Sequence, residues 1–367
     1  MKHVAIITNI PAPYRVDFFD YLEKNIEDFR FTIIYSSENE DNRSWVIDSE
    51  KMQNSIFLES KTIKIKKKYD TKYIHVPWGV SKTLKKISPD VVVASEYNPT
   101  VIQALQYCKK EKIPFVSWTD GTLFSERNIN LVQKFLRKYV IKNANSYIAS
   151  SSKSKEAQLH YGAKEEKCHI SLLTVDVEKY IQKSEEHKNG KIFCVSSLIQ
   201  RKGIDLLIET LAKLTVDFSL FIAGNGDEKE NLIKLAKEAN IQEKVTFLGQ
   251  LNRDELLKHY ADSELFVLPT REDCFALVIL EAICSGLPII CSKYADGAYD
   301  LIEEGKNGFI VDPYNTTDFA SCIEMVLTNK DLQEKMRAES NEIIEKFKFK
   351  SVAQGYMDAI TQSMLEK

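Results

Sequence analysis

The chain has 367 residues, enough for two domains of ordinary size, with 44% hydrophobic and 28% charged residues as in globular proteins. The net charge of −3 and the absence of a recognition motif argue against nucleic acid as a partner. The chain contains no run of 18 apolar residues, so no transmembrane helix is predicted. The seven cysteines are scattered without a C-x-x-C pair, which argues against a disulfide framework and a zinc site and favours a reducing, cytoplasmic compartment.

Short apolar segments alternate with helical patterns along the whole chain. The strands predicted for a first domain are Val4–Thr8, Phe31–Tyr35, Val91–Ser95, Phe115–Trp118 and Ser146–Ser150, and those for a second are Phe193–Ser197, Ser219–Ala223, Lys244–Leu248, Leu265–Leu268, Pro288–Cys291 and Phe309–Val311. The helices predicted between them include Arg15–Asn25, Thr100–Glu111, Asp205–Leu214, Glu228–Ala239 and Arg253–Ala261. This alternation predicts an α/β protein of two Rossmann-like domains with parallel sheets, residues 1–180 and 191–351, joined by the polar segment Tyr180–Gly190.

Ligands of open α/β sheets bind beyond the carboxyl ends of the strands. The loops expected to carry function therefore follow Thr8, Ser117, Ser197, Ala223, Leu248 and Leu268.

The loop after the first strand contains Pro11 and Pro13 and leads into a helix that starts with Tyr14 and Arg15. It lacks the G-x-G-x-x-G of dinucleotide-binding enzymes, so an NAD-dependent oxidoreductase is disfavoured. Tyr14 and Arg15 are expected to face the ligand, although a simple helix start explains the same pattern.

The run Trp118–Thr122 follows another strand and contains Asp120 before Gly121. An acid at a strand end can accept a hydrogen bond from a hydroxyl or act as a base for an incoming alcohol. An Asp-Gly turn is an equally good interpretation of this pair.

Two stretches of the first domain are basic and amphipathic, Lys61–Lys68 and Leu131–Lys142, within a region, residues 51–150, where lysine and arginine exceed the acids. Residues 191–367 are net acidic. The basic stretches predict contact with an anionic membrane leaflet, or else they are ordinary solvated faces.

In the second domain, Arg201, Lys202 and Gly203 follow the first strand. A point charge and a guanidinium beside a glycine suit a diphosphate, although a charged solvated turn has the same composition. Gly224 and Gly226 flank Asn225 after the next strand, where glycines let a ligand approach the backbone.

Two carboxylates, Asp273 and Glu281, lie eight residues apart around the start of a predicted helix, with Cys274–Leu277 between them. Backbone N–H groups and the positive end of the helix dipole suit a phosphate there, and acids on either side suit the hydroxyls of a nucleotide-sugar. The alternatives are a helix N-cap for Asp273 and an exposed helix acid for Glu281.

The Asp273–Glu281 segment resembles the E-x7-E motif of retaining GT-B glycosyltransferases of family 4. Further similarity lies over most of the C-terminal half, in Arg201–Ile208, Pro269–Glu272, Ala282–Ile290 and Gly305–Pro313. The chain departs from the family at three places, with Asp273 in place of Glu, Ser197 in place of Arg and Asp120 in place of His.

The resemblance implies two Rossmann-like domains that face each other across a cleft, with a C-terminal helix, about residues 352–367, that returns to the first domain. It implies that Asp273 binds sugar hydroxyls, Glu281 the ribose diol and Lys202 the diphosphate, while the backbone at Gln250 and Leu251 passes the nucleobase. The expected catalytic residues are Lys202, Asp273 and Asp120, and the donor site further contains Arg201, Gly224, Asn225, Cys274, Phe275, Ala276 and Leu277.

The implied reaction transfers a sugar from a nucleoside diphosphate sugar, with UDP the commonest carrier, to a glycan or lipid-linked saccharide with retention, in surface polysaccharide biosynthesis. Tyr14, Arg15 and Thr122 are expected to bind the acceptor. No further cofactor is expected, and no metal, since the chain lacks a D-x-D motif.

Two other functions fit the same sequence. A nucleotide-sugar epimerase on this fold would need acids and a histidine in the cleft, and the six histidines lie away from the strand-end loops. A non-catalytic partner subunit of a transferase is the second alternative, because Ser197, Asp120 and Asp273 all depart from the commoner residues.

Overall fold

The computed structural model describes residues 1–40, 47–66, 71–181 and 190–365. Lys67, Lys68 and residues 182–189 of the predicted linker lie outside the described residues. The chain divides into two compact units, Met1–Asp176 with Phe349–Lys367 and Val177–Lys348. Each contains a parallel sheet with helices, so the predicted α/β fold of two Rossmann-like domains is confirmed.

The regular elements are numbered in chain order. The strands are β1 (Lys2–Thr8), β2 (Phe29–Tyr35), β3 (Ser55–Phe57), β4 (Ser60–Lys66), β5 (Thr71–Pro77), β6 (Val91–Ser95), β7 (Phe115–Thr119), β8 (Ser146–Ala149), β9 (Cys168–Ile170), β10 (Lys191–Val195), β11 (Ser219–Ala223), β12 (Val245–Gly249), β13 (Leu265–Leu268), β14 (Ile289–Ser292) and β15 (Gly308–Val311). The helices are α1 (Pro13–Asn25), α2 (Val80–Ile87), α3 (Pro99–Glu111), α4 (Leu131–Asn143), α5 (Ser152–His160), α6 (Ile204–Leu211), α7 (Lys229–Glu238), α8 (Arg253–Ala261), α9 (Leu277–Cys284), α10 (Ala298–Leu301), α11 (Thr316–Thr328), α12 (Lys330–Phe347) and α13 (Phe349–Leu365).

The sheet of the first unit has the strand order β3-β2-β1-β6-β7-β8-β9, and its pairs are parallel. Its central strands are rich in valine and isoleucine and are buried on both faces, as a parallel sheet covered by helices requires. Helix α13 packs on this sheet, where Tyr356 contacts Trp118 edge-on and Ser146 donates to the carbonyl of Ala359 at 2.6 Å. The last helix of the chain is therefore part of the first hydrophobic core.

The sheet of the second unit has the order β12-β11-β10-β13-β14-β15, also parallel. Strand β10 has β11 on one side and β13 on the other, so the direction of winding reverses beside it. Loops that follow neighbouring strands at such a reversal diverge and leave a crevice for a ligand. The loops after β10 and β13 carry Lys202 and Asp273.

One antiparallel element was not predicted. The stretch expected to be a basic amphipathic surface begins with β4, which pairs with β5 as a separate two-stranded sheet. Lys61, Ile63 and Ile65 lie on one face of β4, and the two isoleucines are 45% and 44% exposed. From Ile63 to Lys66, isoleucine and lysine alternate along the chain, which is typical of a β-strand.

Candidate functional site

The loops after β10 and β13 are tied together in the second unit. Lys202 forms an ion pair with Asp273, and the Arg201 guanidinium lies 4.0 Å from the same carboxylate. Arg201 also donates to the carbonyl of Glu272 at 2.9 Å. Gly203 has φ +70°, and a Cβ there would lie 2.2 Å from the carbonyl oxygen of Pro269, so the two loops approach at a distance that only glycine permits.

The Asp273 carboxylate is surrounded by groups that favour its ionised form. Burial by itself raises its pKa, but Lys202, Arg201 and the N–H of Phe275 more than offset burial and hold the pKa below its usual value. The predicted cation and the first predicted acid thus lie together, and a diphosphate that binds Lys202 would arrive next to Asp273.

Helix α9 begins at Leu277, after Ala276, which has left-handed backbone (φ 62°) without being glycine. The N-cap residue Ala276 has no side chain that can cap the helix, so the first turn offers backbone donors and the positive dipole end to a ligand. Asp273 is not the N-cap: its Oδ1 accepts the N–H of Phe275 at 3.1 Å within the preceding loop. Unusual backbone at a helix start is costly and is typically found at functional sites.

Glu281 is the fifth residue of α9, about one turn inside the helix, and it is half-buried rather than exposed. Tyr260 donates to its carboxylate at 3.0 Å, and Tyr180 forms a second hydrogen bond with it. Burial raises the pKa of Glu281, while the two phenols and Arg253 act in the opposite direction. The sequence pattern predicted Glu281 but neither tyrosine, since both lie distant in the chain from the motif.

The Gly224–Gly226 turn packs against the loop after β10. Leu198 donates its N–H to the carbonyl of Asn225 at 2.9 Å, and a Cβ at Gly224 would lie 1.9 Å from the carbonyl oxygen of Ser196. This close packing gives the glycines a structural role in shaping the predicted diphosphate loop. Gln250 and Leu251 follow β12, and the neighbouring Gly249 accepts the N–H of Gly224 at 2.7 Å.

In the first unit, Arg15 in the first turn of α1 forms a partly buried ion pair with Asp120, which follows β7. Arg15 also donates to Thr8 Oγ1 at 2.6 Å and Ser95 Oγ at 3.2 Å, and its guanidinium lies 4.4 Å from the ring centroid of Trp118. The side chain was expected to be available to an acceptor, but it is only 9% exposed. The ends of β1, β6 and β7 meet beside the start of α1, and polar side chains there enclose the Arg15 guanidinium.

Asp120 uses both carboxylate oxygens. Oδ2 accepts from Arg15, and Oδ1 accepts from Ser150 Oγ at 2.5 Å. The Asp-Gly pair is therefore not a simple turn, and the acid is paired with a cation.

Glu96 is an acid at this place that the sequence analysis missed. It follows β6 with left-handed backbone (φ 72°) and accepts the N–H of Asp120 at 2.9 Å. Burial first, and then the charge of Asp120, raise the pKa of Glu96 to about 7, although the N–H of Asp120 and Arg15 lower it. The signal that could have found it is its place directly after a buried strand.

Tyr14 is half-buried at the start of α1, beside Arg15. Thr122 is buried, and its hydroxyl accepts the N–H of Ser125 at 3.1 Å, which closes the turn after β7. Among the residues described, no group of three or more His, Cys, Asp and Glu side chains is arranged to hold a metal ion. Within the same residues, the helices lack the length and apolar content needed to cross a bilayer.

Residues 176–342 match the sequence model of the family described as glycosyl transferases group 1. A Haemophilus influenzae protein named as an uncharacterized glycosyltransferase is 31% identical over 44% of this chain and 46% of its own length, so the chain spans about half of that relative. A Campylobacter jejuni relative, N-acetylgalactosamine-N,N'-diacetylbacillosaminyl-diphospho-undecaprenol 4-alpha-N-acetylgalactosaminyltransferase, is 26% identical over 71% of this chain and 74% of its own length.

Solved structures are similar over nearly the whole chain. Anabaena HepE in complex with UDP has a TM-score of 0.80 at 16% identity, with 98% of this chain and 100% of that chain covered. The apo form of the lipopolysaccharide outer core galactosyltransferase WaaB has a TM-score of 0.76 at 18% identity, with 98% and 99% covered. Residues 176–342 are therefore similar to the glycosyl transferases group 1 family, and the chain has the GT-B fold.

Proposed function

We propose that this protein transfers a sugar from a nucleoside diphosphate sugar, with UDP as the carrier, to a glycan or lipid-linked saccharide with retention of configuration, in surface polysaccharide biosynthesis. The observation that carries the proposal is the ion pair of Lys202 with Asp273, in the loops beside the uncapped start of α9. The cation and the backbone donors match a diphosphate, and the carboxylate matches the hydroxyls of a sugar linked to that diphosphate.

On the donor side, the diphosphate displaces Lys202 partly from Asp273 and takes its charge together with that of Arg201. The N–H groups at the start of α9 complete the cradle, so that charge on the departing diphosphate meets fixed donors. Asp273 is then released to accept hydrogen bonds from sugar hydroxyls, and Glu281 accepts those of the ribose. These residues act without a metal ion in the proposed reaction.

The donor assignment is supported by similar proteins. The HepE structure was solved with UDP and also with UDP-glucose, the latter at a TM-score of 0.76 and 16% identity. The name of the Campylobacter relative describes a sugar transfer onto a diphospho-undecaprenol-linked saccharide. A lipid-linked saccharide is therefore the acceptor class that we propose for this chain.

The acceptor site that we propose lies at the strand ends of the first unit, around Tyr14 and the Arg15–Asp120 pair, and it includes Thr122. Because both oxygens of Asp120 already accept hydrogen bonds, the pair is better suited to orient an acceptor hydroxyl than to remove its proton. In this proposal Arg15 keeps Asp120 in place rather than contacting the sugar directly.

A lipid-linked acceptor also requires access to the cytoplasmic face of the membrane, where we propose that the protein binds peripherally. Leu131, Val132 and Phe135 of α4 are 82%, 67% and 66% exposed, and Lys134 and Lys138 are exposed on the same helix. Apolar side chains that protrude among lysines match the interface of an anionic leaflet.

The test is thermal-shift and transfer measurement on the purified full chain with UDP-, GDP- and ADP-sugars in the presence of EDTA. A ligand that binds only the native state raises the Tm, so a rise with one nucleotide class identifies the donor. Donor hydrolysis or sugar transfer with that nucleotide then supports the proposal. Lys202→Ala should reduce turnover at least about a hundredfold, as loss of a preorganised charge does. Lys234→Ala, on the exposed face of α7, is the matched control.

Three outcomes contradict the proposal in different ways. Turnover unchanged in Lys202→Ala removes the proposed catalytic role. Binding without hydrolysis or transfer by the chain alone favours the partner-subunit alternative. A sugar nucleotide converted to its epimer, without loss of UDP, favours the epimerase alternative.

A further inference from the structure

Tyr180 lies in the short segment that opens the second unit and packs against α9. The carbonyl of Tyr180 accepts a hydrogen bond from Ser285 Oγ at 3.2 Å, which fixes the segment against the end of that helix. Its side chain is half-buried and hydrogen-bonds both Glu281 and Arg253. A residue almost a hundred positions before the Asp273–Glu281 motif thus reaches the motif's second acid.

The direction of these hydrogen bonds follows from the groups involved. An ionised carboxylate only accepts, and a guanidinium only donates. The Tyr180 hydroxyl therefore donates to Glu281 and accepts from Arg253, and Tyr260 donates to Glu281 Oε2 at 3.0 Å. A hydroxyl that accepts from a cation becomes a stronger donor, so Arg253 strengthens the bond to Glu281.

Building on the proposed function, we propose that Tyr180 is a positioning residue of the nucleotide site, which orients the Glu281 carboxylate toward a vicinal diol of the nucleoside. A carboxylate has about four acceptor positions. Tyr180 and Tyr260 occupy two of them, and two remain for the two hydroxyls of a ribose. Two fixed phenols also prevent rotation of the carboxylate, so both remaining positions stay directed at the ligand.

The consequence is selection for ribose, through a residue that does not touch the nucleotide. Without the Tyr180 hydroxyl, Glu281 keeps its charge and its partner Tyr260. It loses one of the two hydrogen bonds that fix the orientation of its carboxylate. Binding of a nucleotide with the diol then weakens, whereas binding of a nucleotide without the diol does not depend on Tyr180. A purely structural role of Tyr180 predicts equal weakening for both ligands.

The experiment is isothermal titration calorimetry of the full chain and its Tyr180→Phe variant with UDP and 2′,3′-dideoxy-UDP. The guanosine and adenosine diphosphate pairs are titrated in parallel. Phenylalanine keeps the ring and removes only the hydroxyl. We expect Tyr180→Phe to raise the Kd for UDP by about five- to tenfold, which corresponds to the net contribution of one ordinary hydrogen bond, and to change the Kd for 2′,3′-dideoxy-UDP less than about twofold.

Two further variants sharpen the result. Arg253→Gln should weaken UDP binding in the same selective way but by a smaller factor, because it acts on Tyr180 rather than on Glu281. Tyr107→Phe, half-buried on α3 of the first unit, is the matched control and should leave both Kd values unchanged.

The possible failures are distinguishable. If none of the three ribonucleotides binds the unmodified chain, the proposed function and this inference both fall. If UDP binds the chain and Tyr180→Phe equally well, or if the variant weakens both ligands to the same extent, only the positioning role of Tyr180 is overturned.

Discussion

Arg271 binds Asp205 through two guanidinium nitrogens, 2.8 Å from Oδ1 and 2.6 Å from Oδ2. The same guanidinium donates to the carbonyl of Gln200 at 2.7 Å, and the N–H of Arg271 donates to the carbonyl of Arg201 at 2.8 Å. Arg271 lies directly before the loop of Asp273, so one side chain holds together the two loops that carry the predicted donor-binding charges.

We therefore expect Arg271→Lys to weaken UDP binding by about three- to tenfold, because lysine cannot replace a bidentate guanidinium. Asp205 is 38% exposed, so the loss of stability itself should be small, about 1 kcal/mol or less. The measurements are UDP titration and Tm. In a double-mutant cycle, Asp205→Ala and Arg271→Ala should be non-additive, and additive effects on UDP affinity would contradict the coupling.

Asp273 stands where the resembling family has glutamate, and its shorter arm is paired with Lys202. Asp273→Glu moves the carboxylate by one methylene toward the sugar. We expect this variant to change the ratio of kcat/KM between UDP-hexoses that differ at one hydroxyl by at least about tenfold, while UDP affinity changes little. An unchanged ratio, measured by competition between two donors, would show that Asp273 does not contact the sugar.

Periodicity was sufficient for the central strands of the two parallel sheets, because valine and isoleucine runs such as Val91–Ser95 are buried on both faces. It did not predict the outer strands β3 and β9 or the separate sheet of β4 and β5. The Lys202–Asp273 contact was also predictable, since the carboxyl ends of neighbouring parallel strands meet at one edge of the sheet. The pairing of individual polar side chains could not be predicted from the sequence. The guanidinium of Arg15 is enclosed because Thr8, Ser95 and Asp120 contact it from three strand ends.

Glu96 and Tyr180 were missed for a different reason. Each lies outside any recognisable motif and contacts an acid distant in the sequence, Asp120 for Glu96 and Glu281 for Tyr180. Glu96 could have been found from its place directly after a buried strand. Tyr180 has no such signal, because only the folding of the second unit brings it to helix α9.

The exposed apolar residues of α4 lead to a prediction about membranes. Leu131→Ser combined with Phe135→Ser should reduce binding to phosphatidylcholine–phosphatidylglycerol vesicles at least about tenfold, because each side chain loses apolar burial. Vesicle co-sedimentation at several salt concentrations is the measurement.

Lys134→Ala and Lys138→Ala should each weaken that binding about fivefold at low salt and less at high salt. Lys110→Ala, exposed on α3 of the same unit, is the control. Equal binding of the unmodified chain to vesicles of phosphatidylcholine alone would contradict a role for the lysines.

The last prediction concerns Glu96 and the dependence of stability on pH. Burial and the charge of Asp120 raise its pKa from 4.5 to about 7 in the folded protein. As pH rises, the unfolded chain therefore loses this proton first, and the folded state is favoured by the neutral acid. The contribution is full below about pH 4.5, the usual glutamate value, and is lost as pH rises through about 7.

Glu96→Gln removes the titration but keeps an oxygen that can accept the N–H of Asp120. Between about pH 4.5 and 7, the Tm of the variant should fall less steeply than that of the unmodified chain, because the variant lacks this titration. A pKa raised from 4.5 to about 7 corresponds to a loss of at most about 3–4 kcal/mol over this range. Differential scanning calorimetry across this range measures the slopes. Glu111→Gln, exposed at the end of α3, should keep the steeper slope, and parallel curves for all three proteins would mean that Glu96 titrates as it does in the unfolded chain.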